Sequence, residues 1–262
     1  MNLKYRTIFE NSDLQKVKLK INDWAGTTQN NSADIKVQPY MCKPFVDAST
    51  YGFEILYPYE TTIEIEFLDG KMKINAEQDW KKDQDTIRKI GNIPVGQISE
   101  NHFGINTGLD IKAPAKHVLR IEPHPAFYGK NNYPCAVPGH LETDWWSSLF
   151  FIVIKAPEEK NKLIFYKGMP IAQCIVLPKN NNYVAVRMSE KEANQRRENF
   201  KIINTSRDKI SKSYKDINGN TFDNTYKTIS NYVSIKGIKE FKNLLNSLKS
   251  KIKKIGFRLF KK

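Results

Sequence analysis

Apolar and polar residues alternate most regularly between residues 51 and 75. Ile63, Ile65 and Phe67 fall on one side of an extended chain, and the glutamates between them fall on the other. An Asp-Gly pair follows at positions 69 and 70, and such a pair between two alternating runs is typical of a tight hairpin turn. The pattern therefore predicts two antiparallel strands joined at this turn.

Short apolar runs separated by Gly and Pro continue from about residue 98 to residue 178. Runs of this length and spacing predict a barrel or a β-sandwich. The predicted strands are 109–111, 117–122, 147–155, 162–165 and 171–177. The charged segment 76–90 fits either a short helix or an excursion from the sheet.

Stronger helical patterns appear towards the C-terminus. Residues 189–200 are predicted to form a helix, because Ser189 and Glu192 have the spacing of a capping box. Residues 204–235 are polar, with a turn signal at 218–219, and are predicted to be a linker. A stripe of apolar residues at three- and four-residue steps then predicts a second helix. Its members are Ile238, Phe241, Leu244, Leu245, Leu248, Ile252 and Ile255.

Basic residues are concentrated in the same part of the chain. The 262 residues carry a formal net charge of +14. Residues 1–200 hold 26 Lys+Arg against 24 Asp+Glu, whereas residues 201–262 hold 16 against 4. This asymmetry indicates an anionic partner, which could be nucleic acid, a lipid surface or an acidic protein face. The basic helix could lie on a membrane or dock into a partner groove, although it could equally pack on its own domain.

The chain lacks the sequence features of secretion, membrane crossing and zinc binding. The N-terminal residues are charged where a signal peptide needs an apolar run, and the longest apolar run, 149–154, is far shorter than a membrane span of about 20 residues. The three cysteines are widely spaced and form no zinc motif, so free thiols are expected. We therefore expect no transmembrane segment and a cytoplasmic location.

Four short motifs lie in a fixed order between residues 51 and 179. They are YGFEI at 51–55, PHPAF at 123–127, GHLETDWWS at 139–147 and KGMPIAQC at 167–174. In type, order and spacing they resemble the motifs of the dUTPase and dCTP deaminase superfamily. The letters ETDW at 142–145 and HFG at 102–104 also resemble the signatures of an uncharacterised family, which implies no function.

The resemblance implies a mainly β fold, a dUTPase-like distorted barrel of the β-clip type, with a helical appendage. Residues 1–200 would form the body, with an insertion near 60–100, and residues 201–262 a basic linker and the amphipathic helix. The resemblance also implies a homotrimer that binds a nucleotide, with Mg²⁺ as cofactor if the protein is an enzyme. A phage origin, and hence a location in the virion, would fit a structural role of such a domain.

The resemblance also implies which residues bind the ligand. The matching positions are Glu54, His124, His140, Trp145 and Gln173. His124 and the proline after it stand where the superfamily has a phosphate-binding arginine and serine, and proline has no N–H to donate. Because Trp145 and Trp146 are adjacent, one is expected to face the core and the other a cleft or a subunit interface.

Glu142 and Asp144 are the candidate catalytic residues. Glu142 stands where the superfamily has the aspartate that orients the attacking water, and its side chain is one methylene longer, which matters because a misplacement of about 1 Å costs on the order of 100-fold in rate. Two residues apart on a strand, they share a face and could hold a divalent ion through phosphates or act as base and orienter. An exposed turn after Gly139 is the alternative.

Three functions remain open at this point. The first is a binding or structural module with lost or altered catalysis, because the second motif is broken and a lysine-rich tail replaces the glycine-rich closing motif of the superfamily. The second is an active nucleotide pyrophosphatase or deaminase with a remodelled pocket. The third is a metal oxygenase, since His140 and Glu142 form an HxE pair, but that site needs a later histidine and His140 is the last one.

Overall fold

The structure is a computed structural model that describes residues 2–10, 12–17, 43–77, 79–127, 132–159, 161–180, 182–211, 213–215 and 221–259. These residues fall into two compact units. The first, here called the β body, contains residues 47–182 and the described residues before 18. The second, here called the helical unit, contains the described residues from 183 onwards and residues 43–46.

Short strands account for most of the regular structure in the β body. In chain order they are β1 (Lys4–Thr7), β2 (Gln15–Lys16), β3 (Phe53–Leu56), β4 (Ile63–Leu68), β5 (Lys71–Ala76), β6 (Val95–Ser99), β7 (His102–Asn106), β8 (Leu109–Lys112), β9 (His117–Glu122), β10 (Gly139–Leu141), β11 (Phe151–Lys155), β12 (Lys162–Phe165) and β13 (Pro170–Pro178). Helix α1 (Lys43–Ser49) ends in the body, and α2 (Trp80–Arg88) follows the hairpin. The strand pairs among the described residues are all antiparallel.

The largest sheet contains or adjoins all four sequence motifs. Its strand order is β10-β9-β13-β3-β2, with the long strand β13 in the middle. β3 carries the first motif, β9 leads into the second, β10 begins the third and β13 carries the fourth. The resemblance noted in the sequence therefore corresponds to segments that lie side by side.

Three smaller sheets complete the body, with strand orders β11-β7-β6, β12-β4-β5 and β1-β8. The predicted hairpin is present as β4 and β5. Asp69 and Gly70 both have positive φ, 50° and 70°, as a type I′ turn requires. The hairpin prediction is confirmed, and β4 also pairs with β12, so this part of the 60–100 region contributes to the shared core.

The core of the body is one cluster to which these sheets contribute. Its largest fully buried rings are Tyr57, Tyr59, Phe103 and Phe165, and they meet edge to face or tilted, at centroid distances of 5.2 to 6.0 Å. The Tyr59 hydroxyl donates to the Asn106 carbonyl at 2.8 Å, which satisfies the one polar atom of a buried ring. Removal of this apolar surface from water is the main force that holds the sheets together.

The helical unit contains α3 (Glu190–Thr205), α4 (Arg207–Ile210), β14 (Ser213–Lys215), β15 (Thr221–Asp223) and α5 (Thr225–Leu259). The predicted capping box is confirmed, because Ser189 Oγ accepts from the Glu192 N–H and the Glu192 carboxylate accepts from the Ser189 N–H. Helix α5 is interrupted at Gly237, whose φ of 84° and ψ of 162° are not helical. It therefore consists of two consecutive helices, one before and one after Gly237.

The mainly β class with a C-terminal helix is confirmed. Strands 117–122 and 162–165 coincide with β9 and β12, whereas β7 was not predicted. Helix α3, which the predicted boundary at residue 200 assigned to the body, groups with the helical unit. The predicted linker 204–235 contains α4, β14, β15 and the start of α5, and its turn signal at 218–219 lies outside the described residues.

Among the helices that the structure describes, none combines the length and the apolarity that crossing a membrane requires.

Candidate functional site

The motif residues in the middle of the large sheet form a polar row. Gln173 of β13 pairs with Glu54 of β3 and with Glu122 of β9, and Glu54 pairs with Gln15 of β2. Directly opposed residues of antiparallel strands place their side chains on the same face. Four polar side chains therefore cross one face of the sheet at the same level.

His124 lies at one end of β9, next to this row. Its ring is 2% exposed, and its Nδ1 accepts a hydrogen bond from the Ala126 N–H at 3.2 Å. The neutral ring therefore carries its proton on Nε2. This nitrogen has no hydrogen-bond partner among the described residues and lies 3.8 Å from Glu54 Oε2.

Burial controls the charge of His124. It lowers the pKa of the imidazole from 6.5 to about 4, because the charged ring loses its hydration. The Glu54 carboxylate, at 3.8 Å, is too far for a hydrogen bond and does not offset this cost. We conclude that His124 is neutral at physiological pH, so it offers an N–H donor rather than the positive charge of a phosphate-binding arginine.

The amide of Gln173 is used inside the protein. Its Nε2 donates to the carbonyl of Ala48 at 3.1 Å and to the carbonyl of Tyr51. Ala48 lies in the last turn of α1, where carbonyl groups have no partner within the helix. Gln173 therefore ties the end of α1 to the central strand of the sheet.

The third motif forms a turn at the edge of the sheet. Thr143 is buried, and its Oγ1 accepts a hydrogen bond from the Ala113 N–H at 2.9 Å, which fixes the turn to the body. Glu142 Oε2 accepts from Lys179 Nζ at 2.6 Å and from Trp145 Nε1 at 2.7 Å. These two donors hold the pKa of Glu142 below its ordinary value.

Both tryptophans of this turn are on the surface. Trp145 is 65% exposed and Trp146 is 54% exposed, and their rings meet edge to face at 5.8 Å. The expectation that one of them faces the core is wrong, because the buried anchor of the turn is Thr143. His140 is also exposed and lies opposite Arg120 of β9.

The two groups of motif residues are separate. Leu141, next to Glu142, pairs with Leu119, which in turn pairs with Val176, three residues along β13 from Gln173. With about 3.4 Å per residue and about 4.8 Å between strands, Glu142 lies roughly 15 Å from Gln173. Of the residues singled out in the sequence, Glu54, His124 and Gln173 are thus together, and Glu142 is at the far edge of the sheet.

The carboxylates at 142 and 144 do not present a site that fits Mg²⁺. Lys179 Nζ lies 2.6 Å from Glu142 Oε2 and 3.8 Å from Asp144 Oδ2, so a cation already stands between the two carboxylates. No group of three His, Cys, Asp or Glu side chains with metal-binding geometry occurs in the described part of the chain, and His140 and Glu142 gain no third ligand there.

Lys179 and Arg120 were missed by the sequence reasoning. Lys179 directly follows β13, and its N–H donates to the carbonyl of Lys116, which places its side chain beside the third motif. Arg120 pairs with Glu122 at 2.5 Å. Neither residue belongs to a motif, and the contact of Lys179 with Glu142 joins segments that are distant in the sequence.

Two surface cavities of the β body lie away from both groups of motif residues. Their volumes are about 290 Å³ and about 490 Å³, and they share the loop from Lys155 to Glu158. Predicted site residues do not line either of them.

Neither the comparison with protein-family models nor that with curated proteins finds a match. Solved dUTPases are similar to this chain at low identity. The native dUTPase of EIAV is 12% identical, with 72% of this chain and 98% of that chain covered and a TM-score of 0.36. The dUTPase of Staphylococcus bacteriophage 80alpha with dUPNHPP is 12% identical, with 72% and 90% covered and a TM-score of 0.39.

A dUTPase mutant from phage phi11 of S. aureus gives 12% identity, 72% and 99% coverage and a TM-score of 0.36. At this level the similarity transfers neither a site residue nor an activity to this chain.

Proposed function

We propose that this protein is a binding or assembly module on a dUTPase-like β-clip body in which nucleotide hydrolysis has been lost. The observation that carries the proposal is the engagement of the motif residues with the protein itself. Gln173 holds the end of α1, and Glu142 is paired with Lys179. A hydrolase needs such groups turned towards the substrate in one place.

The protonation state of Glu142 argues in the same direction. A general base works best when its pKa lies near the operating pH. Lys179 and Trp145 lower the pKa of Glu142 instead, which makes its carboxylate a weaker base than a free glutamate. His124 cannot replace it, because burial lowers the pKa of its imidazole to about 4 and its nearest carboxylate is that of Glu54.

A nucleotide assay tests the loss of hydrolysis. We expect that deoxynucleoside triphosphates incubated with the protein and Mg²⁺ release phosphate, pyrophosphate and ammonia only at the rate of the buffer blank. The proposal is overturned by release at enzymatic rates that Glu142→Gln abolishes and Glu64→Gln leaves intact. Glu64 is the matched control because it also pairs with a lysine, Lys162, at 2.9 Å.

An active pyrophosphatase or deaminase is the second candidate. The exposed ring of Trp145, held in place by its bond to Glu142, is the observation that favours it, since a nucleobase or sugar could pack on this flat surface. The same assay distinguishes the two candidates.

We further propose that the body acts as a homotrimer, which the resemblance to dUTPases implies. Light scattering coupled to gel filtration should give three times the 30.3 kDa mass of one chain. A monomeric mass at all accessible concentrations would rule out this form of assembly.

A further inference from the structure

The middle of the apolar stripe of α5 packs within the helical unit. Leu245, in the middle of the stripe, is 6% exposed, and so is Ile202 of α3. Lys249 of α5 lies 3.9 Å from the Glu198 carboxylate of α3, which shows that these two helices are neighbours. An in-plane membrane helix needs its apolar face free to enter the lipid. The middle of the stripe, at Leu245, is thus withdrawn from a lipid partner by its contact with α3, whereas Ile238 at the start of the stripe is 54% exposed.

The outward side of the same helix carries side chains that donate hydrogen bonds and few acidic side chains. Its residues Lys239, Lys242, Asn243, Asn246 and Ser250 are all exposed. With 3.6 residues per turn, all except Lys242, which flanks the stripe, point away from it. The residue range of α5 holds nine Lys and Arg residues against a single acidic residue, Glu240.

We propose that this outward side of α5, here called the lysine face, binds the phosphate backbone of nucleic acid. Phosphate oxygens are contacted by lysine, serine and asparagine side chains, which are the residue types found here. Lys239, Lys242 and Asn246 follow one another at three- and four-residue steps, about 5 Å along the axis. A row of this kind can contact successive charged groups of a polymer in which those groups are regularly spaced.

The composition of the lysine face favours nucleic acid over an acidic protein. Protein–protein interfaces are depleted in lysine and draw their affinity from buried aromatic residues and arginine. The lysine face offers lysine, asparagine and serine, which suit water-exposed phosphate contacts. Arg196, Arg197 and Lys201 of α3 are exposed in the same unit, together with three exposed glutamates, Glu190, Glu192 and Glu198.

This inference concerns the helical unit and goes beyond the function proposed for the β body. The test measures fluorescence anisotropy of a labelled DNA duplex of random sequence with the full-length protein at several salt concentrations. We expect binding that weakens steeply with salt. The double variant Lys239→Gln/Lys242→Gln should bind about tenfold more weakly and lose about two units from the slope of log affinity against log salt.

Two further variants separate the lysine face from net charge and from folding. Lys81→Gln/Lys82→Gln in α2 removes the same charge from the β body, where both lysines are exposed, and should bind like the wild type. Lys239→Arg/Lys242→Arg keeps the charge and should keep the salt slope. Glutamine and arginine are both good helix formers, so the helix content by circular dichroism should be unchanged.

Several results would overturn the proposal. One is no binding of the duplex or of a single strand of the same sequence. Another is equal weakening in the two glutamine variants, which would reduce the effect to overall charge. Tighter binding to vesicles with phosphatidylserine, or to polyglutamate, than to DNA would assign the lysine face to a lipid or to an acidic protein.

Discussion

At the scale of single residues, the surroundings of two motif side chains decide their chemistry. His124 is buried and neutral, whereas Glu142 is half exposed and held ionised by Lys179. In the sequence, the two residues were simply titratable groups at motif positions. Burial lowers the pKa of His124 and keeps its ring neutral. Lys179 lowers the pKa of Glu142 and keeps its carboxylate charged.

The first prediction concerns the stability of the protein in mild acid. The pKa of His124 is about 4 in the folded protein and close to 6.5 in the unfolded chain. As the pH falls below 6.5 the unfolded chain binds the extra proton first, so this contribution to stability is complete above 6.5 and is lost on the way to 4. Between pH 6.5 and 5 the loss should reach about 1.5 kcal/mol.

His124→Asn provides the comparison for this prediction. Asparagine keeps an oxygen that can accept from the Ala126 N–H, but it does not titrate. Urea unfolding at the two pH values should show a smaller loss in the variant than in the wild type. Equal losses would mean that His124 does not carry the effect.

The second prediction concerns a close contact on the sheet β11-β7-β6. A Cβ added to Gly104 would lie 1.9 Å from the Phe151 ring, which covers this position. Gly104→Ala must displace the ring and should cost about 1–3 kcal/mol in the free energy of unfolding. Gly139→Ala is the matched control, because nothing lies within 4 Å of its added Cβ, and it should leave the urea midpoint unchanged.

At the scale of elements, strand β13 and helix α3 differ in how much of their environment the sequence reveals. The start of α3 carries a local signal, since Ser189 and Glu192 form hydrogen bonds with each other across one turn. β13 was predicted as a strand, but its neighbours β9 and β3 come from segments about 50 and 120 residues earlier in the chain. No local pattern could have shown that Gln173 faces Glu54 or that Lys179 reaches Glu142.

The third prediction tests the start of α3. Ser189→Ala removes the two hydrogen bonds of the Ser189 hydroxyl, the one it accepts from the Glu192 N–H and the one it donates to the Glu192 carboxylate, and should cost about 1 kcal/mol of helix stability. Hydrogen exchange of the first-turn amides, beginning with that of Glu192, should become faster. Ser247→Ala, an exposed serine inside α5, should not slow or speed exchange in α3. Unchanged exchange in Ser189→Ala would contradict the role of the cap.

At the scale of the whole molecule, the buried cluster of the β body contains no residue of the helical unit. All members of the buried cluster, including the partly buried residues packed on it, lie between Leu3 and Val176. The positive charge lies mainly on the other side of the unit boundary, in the chain that follows residue 200. The two parts therefore differ both in how they are stabilised and in which partners they suit.

The fourth prediction follows from this division. A chain that ends after Asn182 should remain folded, because it retains the whole cluster. Circular dichroism should show a β spectrum and cooperative thermal unfolding. The same truncated chain should lose the binding of DNA that we infer for the lysine face. An unfolded or aggregated product would show that the core needs the helical unit.

The sequence alone determined the features that depend on neighbours along the chain. The hairpin at Asp69 and Gly70, the cap at Ser189 and the apolar stripe after Gly237 all follow from short-range periodicity and turn chemistry. These signals need no knowledge of distant segments, and so the mainly β class with a C-terminal helix was predicted correctly.

The tertiary structure decided which motif residues meet. Strand register brought Gln173 beside Glu54, buried His124 and placed Glu142 against Lys179. Register depends on packing between strands that are far apart in sequence, and burial then sets the charge of each titratable group. For this reason the order of the motifs predicted a scaffold, whereas the partners of their side chains, and with them the chemistry that remains, came only from the fold.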